Sequence, residues 1–148
     1  MTRTFKGRVV VCGEVRASAV VSRQGFNTLA SFQKSLLAKK TDAVCSDQNN
    51  PDLYNKPMAR MALCMPQSIG STTGGLVFLT ASAMGASPAC LLFSEQIDSL
   101  AAAGAILSDV WTQNSMPTVD LLGQEFLDYV KDGMQVAVAM DGTVSVSD

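Results

Sequence analysis

Pro66-Gln67-Ser68-Ile69-Gly70-Ser71-Thr72-Thr73-Gly74-Gly75 places hydroxyls and glycines where an uncharged, apolar stretch is set to begin a helix. The first N–H groups of a helix have no intrahelical acceptor, and the aligned peptide dipoles add partial positive charge at that end. A bound carboxylate, or the alkoxide of Ser71, would be stabilised there. Gly70, Gly74 and Gly75 carry no side chain to hold a ligand off the backbone. Gly70, Thr72 and Thr73 are thus candidate substrate-binding neighbours of a catalytic Ser71. A plainer account makes Ser71 or Thr72 an N-cap and lets the glycines admit a close-packed helix. A phosphate-binding P-loop fits poorly, because Ile69-Gly70 stands where that motif needs a lysine before the hydroxyl residue.

The chain contains no histidine, so no Ser-His-Asp constellation can form within it. A chemically active Ser71 must draw its activation from backbone dipoles, a bound metal or groups on another polypeptide. Cys12, Cys45, Cys64 and Cys90 are widely spaced, with no C-x-x-C pair, which argues against a zinc site made by this chain alone. Cys12, Cys64 and Cys90 lie in strand-like apolar runs and are expected as buried, reduced thiols. Cys45 begins the polar stretch Cys45-Ser46-Asp47-Gln48-Asn49 and is expected as a surface thiol, with contact with a site as the alternative. Glu95 and Asp98 follow an apolar run, and Asp98 is placed to cap the helix that comes next.

The elements that must position these residues follow from apolar periodicity. Met61 to Cys64 predicts a buried strand, and Leu76-Val77-Phe78-Leu79 with Ala81, Ala83 and Met84 predicts a packed helix after the Ser71 loop. Arg8 to Cys12 and Ala17 to Val21 predict two early strands joined near Gly13-Glu14. Ser22-Arg23-Gln24-Gly25-Phe26-Asn27 reads as a polar turn. A short helix is expected over Leu29 to Leu37, then a long excursion from Thr41 to Met58 marked by Asn49-Asn50-Pro51-Asp52 and Lys56-Pro57. Ala89 to Phe93 predicts a strand, Ile97 to Val110 a helix, Met116 to Asp120 a short strand and Gln124 to Val130 a short helix. Met134 to Ala139 and Thr143 to Val146 flank Asp141-Gly142, the signal for a hairpin with a type I′ turn. The sum is an α/β fold, a layered β/β/α domain with an antiparallel edge, read as one domain over residues 1–148.

With 148 residues, 47% of them hydrophobic, the chain can bury a sizeable core. Charged residues make up only 16% and the net charge is −2, which supplies no basic surface for nucleic acid. Met61 to Ser94 carries no charge, yet polar breaks at Gln67-Ser68, Ser71 to Gly75 and Gly85 to Pro88 deny it the ~20 consecutive apolar residues of a membrane span. Met1 to Lys6 lacks the apolar centre of a signal peptide, so the expected location is cytoplasmic. So few charges on so apolar a chain call for a partner subunit to cover exposed surface.

The ordered segments Lys6-Gly7-Arg8, Ser22 to Asn27, Gly70 to Gly75 and Ala103-Gly104-Ala105-Ile106 resemble the small, or swivel, component of the aconitase X family over nearly the whole chain. Cys45 to Pro51 and Pro88 to Glu95 look like its bacterial branch. The resemblance implies a swivelling β/β/α domain, a mixed sheet or small barrel with flanking helices, that closes over a large catalytic subunit. That subunit would carry iron or an iron–sulfur cluster, with no metal ligand on this chain. The implied activity is that of a hydro-lyase acting on a small hydroxy acid. Members of the bacterial branch dehydrate cis-3-hydroxy-L-proline to Δ1-pyrroline-2-carboxylate; the alternatives are phosphomevalonate, the substrate of archaeal relatives, and a non-catalytic interaction domain. By this similarity Ser71 occupies the place of the serine that removes the α-proton in aconitase-type enzymes. Ser22, Arg23 and Asn27 match the family's early loop and become candidate substrate contacts, with Arg23 replacing an arginine that aconitase carries directly after its serine pair.

Overall fold

In the computed structural model, which describes residues 1–148, the chain opens with β1 (Thr2–Lys6), β2 (Arg8–Val11), β3 (Val15–Val21) and β4 (Phe26–Asn27). Helix α1 (Thr28–Leu37) leads through the long excursion to β5 (Ala62–Met65), β6 (Ser68–Ile69), α2 (Gly74–Ala83) and β7 (Cys90–Phe93). There follow α3 (Ser99–Trp111), β8 (Thr118–Asp120), α4 (Gln124–Tyr129), β9 (Gln135–Val138) and β10 (Thr143–Ser147). No helix is long and apolar enough to cross a membrane.

Eight strands form one mixed sheet in the order β1-β10-β9-β3-β5-β7-β8-β2, with β3, β5, β7 and β8 mutually parallel. Its two outer strands, β1 and β2, are separated by Gly7 alone, so the sheet curls until its edges meet. Inside the curl lie Val21, Cys64, Leu92 and Val144, stoppered by Phe126 of α4. Successive strand residues face opposite ways, and Val20, Leu63, Met65, Leu91 and Phe93 pack outward against α1, α2 and α3. β5 and β7 are therefore apolar at every position because both of their faces are covered. Phe26, Phe32 and Phe78 meet at 6.0–6.3 Å between ring centroids and tie α1 and α2 together. Each fully buried phenyl contributes about 2–3 kcal/mol by leaving water.

The two early strands form as expected, β2 and β3 with Gly13-Glu14 between them, but they are not neighbours in the sheet: β2 pairs with β8, and β3 lies between β9 and β5. Several other expectations are corrected. β1, which pairs along its length with β10, had no apolar signal of its own because Phe5 is its one buried residue. Cys12 is exposed, since β2 stops at Val11 after a register shift. Cys45 is buried, and burial pushes its thiol pKa up. The excursion folds back on itself there, with Cys45 N–H donating to Lys56 O (2.9 Å) and Ser46 N–H to Ser31 O of α1 (2.9 Å). The β9–β10 turn is not type I′, because only Gly142 takes positive φ (88°). Gly142 N–H donates to Ala139 O (3.1 Å) and Ala139 N–H to Thr143 O (2.9 Å), the three-residue loop that ends in a left-handed glycine.

Candidate functional site

The parallel strands β3, β5, β7 and β8 all end on the same edge of the sheet, the edge where open α/β folds place their ligands. The segment after β5 rises from that edge. Its first part, β6, pairs in parallel with β4, Ser68 opposite Phe26 and Ile69 opposite Asn27. Gly70 then turns the chain with φ 98°, a conformation that costs a side-chain-bearing residue strain. Ser71, Thr72 and Thr73 are exposed, and Gly74 opens α2.

The expected N-cap role of Ser71 or Thr72 is corrected. Thr73 is the N-cap residue of α2 and makes no side-chain capping bond, so Ser71 stands two residues ahead of it. Ser71 Oγ accepts the Thr73 N–H at 3.2 Å and lies 2.9 Å from Thr73 Oγ1. With the Thr73 hydroxyl donating, two donors converge on Ser71 Oγ, and donors aimed at the anionic form favour it. The Gly75 and Leu76 N–H groups find no backbone acceptor, so the positive end of α2 stays open. Packing does explain Gly75: a Cβ there would stand 2.2 Å from Leu100 O, and one on Gly104 of α3 would stand 2.3 Å from Gly75 O. Gly74 meets only Thr28, at ordinary contact distance, and is not required by packing.

Of the early-loop residues, the structure brings only Asn27 to this loop. Its Oδ1 accepts the Ala30 N–H (3.0 Å) as cap of α1, and its amide lies so close that a Cβ on Gly70 would stand 2.8 Å from Nδ2. Ser22 is corrected as a substrate contact: it is fully buried, donating to Gln24 O (2.6 Å) and accepting from Asn50 Nδ2 (3.0 Å). Arg23 is turned elsewhere too, its Nη2 donating to Val130 O at 2.7 Å while its backbone N–H meets the Asp52 carboxylate at 2.7 Å. Glu95 is exposed and joins the fold through its backbone, to Pro66 O and Leu121 N–H. Asp98 caps α3 as expected, accepting the Ala101 N–H at 2.9 Å, and its other oxygen accepts the Ser68 hydroxyl. That second bond joins residues thirty apart and has no local sequence signal.

No group of three His, Cys, Asp or Glu side chains is placed to hold a metal ion, and Cys64 and Cys90 are buried inside the curled sheet. A cleft of about 570 Å³ is lined by Lys34, Lys40 and Tyr54 at the far end of α1, away from Ser71. Ser71 instead stands on open surface between the exposed apolar side chains of Ile69 (50%) and Leu76 (61%). An exposed serine that accepts one backbone N–H needs further groups around it to make a complete site.

A model of the aconitase X swivel domain matches residues 4–146. The chain is 28% identical to the phosphomevalonate dehydratase small subunit of Methanosarcina mazei, over 90% of this chain and 83% of that one. It is also 28% identical to the subunit of the same name from Methanocella arvoryzae, over 96% of each. The crystal structure of Thermococcus kodakaraensis aconitase X in its holo form superposes with a TM-score of 0.81 at 24% identity, covering 99% of both chains, a likeness of fold.

Proposed function

The chain belongs to the aconitase X swivel domain family, and on that premise we propose that it is the small subunit of a hydro-lyase, presenting Ser71 to a site completed by a large catalytic subunit. The observation that carries this reading is the exposed Ser71, whose Oγ accepts the Thr73 N–H and lies within hydrogen-bond distance of the Thr73 hydroxyl. The reaction removes the α-proton of a 3-hydroxy acid and expels the β-hydroxyl as water. Ser71 Oγ takes the proton as alkoxide, the C–H pair becomes the new double bond, and the Thr73 donors hold the oxygen in its anionic form until then. Closure of the large subunit over Ile69 and Leu76 excludes water, without which a serine alkoxide would be a poor proposition. The unpaired N–H groups of α2 are suited to the substrate carboxylate. The departing hydroxyl needs an acid that this chain does not hold. Iron or an iron–sulfur cluster would have to be bound by the large subunit, since the side chains here do not fit one.

The relatives favour phosphomevalonate as the substrate over cis-3-hydroxy-L-proline, reversing the order suggested by the bacterial-branch segments. One observation favours the hydroxyproline. Met61 to Ser94 holds no cation and Arg23 donates to Val130 O, so the Ser71 segment itself brings no cationic side chain to pair with a phosphate. On the phosphomevalonate reading those cations belong to the large subunit. The test mixes the chain with the large subunit, anaerobically and with iron, and follows both substrates. Loss of phosphomevalonate only when both chains are present supports the first reading, and loss of the hydroxyproline the second. Failure of both in an assembled, metal-loaded complex would overturn the hydro-lyase proposal.

A further inference from the structure

Ser71 lies in a segment whose two ends are anchored on the first turns of α3. At one end the Ser68 hydroxyl is bound by Asp98, the cap of α3. At the other, Gly75 is pressed against the Leu100 carbonyl and Gly104 of the same helix. Between these feet, Ser71, Thr72 and Thr73 are exposed and their bonds are local: Ser71 Oγ to Thr73, and Gly74 N–H to Ser71 O at 3.2 Å. α2 has no side-chain cap to order its own entrance. Without Asp98, β6 would keep its two-residue pairing with β4, the packing of Ile69 on Gly25 and the contact of Asn27 with Gly70, none of which is a side-chain hydrogen bond. We propose that Asp98 is a positioning residue for Ser71, clamping Ser68 so that the segment between the two anchors holds the Ser71 hydroxyl in place. Asp98 does this while capping α3, so one carboxylate couples the start of that helix to the serine.

The proposal rests on the reading of Ser71 as the base, and its two functions can be separated by substitution. Asp98→Ser still caps a helix but is too short to reach Ser68. Asp98→Asn caps with its oxygen and donates to Ser68 from its nitrogen, restoring the link. Ser68→Ala removes the link and leaves the cap. In the full chain, backbone NMR relaxation over residues 69–74 is expected to show added motion in Ser68→Ala and Asp98→Ser alike, with Asp98→Asn close to the unsubstituted protein. In the assembled complex, kcat is expected to fall about ten- to a hundredfold for the first two with KM little changed, the size of effect that misplacing a reacting group by an ångström produces. Combining Ser68→Ala with Asp98→Ser should cost no more than either alone. Unchanged motion in both single variants, or Asp98→Asn as impaired as Asp98→Ser, would overturn the clamp. Ser71→Ala measured beside them separates the two ideas: if it abolishes turnover while the clamp variants run at full rate, the clamp fails and the base stands; if it leaves turnover intact, the base fails and the catalytic role of Asp98 goes with it.

Discussion

Replacing Gly75 by alanine tests the packing that seats α2, and with it the Ser71 loop, on α3. The added Cβ would stand 2.2 Å from the Leu100 carbonyl oxygen, against a floor of 3.0 Å for real Cβ contacts. The obstacle is backbone, so no side chain can swing aside, and relief requires the helices to part by about 0.8 Å in a tightly packed interior. Overpacking of this kind costs about 3 kcal/mol, at the upper end of the usual range. Alanine recovers about 1 kcal/mol through its better helix propensity. The net loss of about 2 kcal/mol corresponds to a melting temperature lower by roughly 4–8 °C in a chain of this size. Circular dichroism melts and urea titration of the full chain measure it, with Gly74→Ala as the control. A Cβ at Gly74 would lie 3.6 Å from Thr28 Cβ, an ordinary contact, so that variant carries only the propensity gain and should melt at the parent's temperature or up to about 4 °C above it. Equal stability of Gly75→Ala and the parent, or an equal loss in Gly74→Ala, would refute the reasoning.

The Asp141 carboxyl is held at about 2, below its ordinary 3.8, chiefly by the Thr143 N–H and hydroxyl and then by Lys6. A depressed carboxylate pKa stabilises the fold above the ordinary value, and that contribution fades as pH falls from near 4 through about 2. The Thr143 amide shift should therefore titrate near 2, and Asp141→Asn should flatten the curve; a midpoint near 3.8 would contradict the bond. Thiol chemistry gives an independent check of the corrected cysteines. Cys12 is exposed while Cys45, Cys64 and Cys90 are buried, with burial pushing Cys90 to about 12. An aromatic disulfide reagent should label Cys12 alone in the native chain and the other three only after unfolding. Rapid native labelling of Cys45 would show that the excursion does not fold as described.

Much of the scaffold could be read from local pattern. The apolar runs that became β5 and β7, the helix after Ser71 and the capping of α3 by Asp98 each depend on residues within a few positions of one another. What escaped was set by partners distant in sequence. The neighbours of β2 and β3 follow from closure of the sheet at Gly7, and the burial of Cys45 follows from a loop folding back to Lys56. At the site, the Ser71 loop was legible because its hydroxyls and glycines are contiguous. Ser22 and Arg23 were not separable from Asn27 by sequence, because the bonds that turn them away go to Asn50, Asp52 and Val130. The glycine signal itself was mixed, with Gly70 serving the turn and Gly75 the helix contact.

The central claim is that this chain contributes a base from Ser71 to a site shared with a large subunit. The most direct measurement is the dehydration rate of the assembled, metal-loaded complex with the parent chain and with Ser71→Ala, on whichever substrate is turned over, beside a binding measurement between the subunits. The account expects turnover to fall by about a thousandfold, the scale of a lost general base, while assembly and folding are unchanged. A Ser71→Ala complex that assembles and dehydrates its substrate at the parent rate would contradict it.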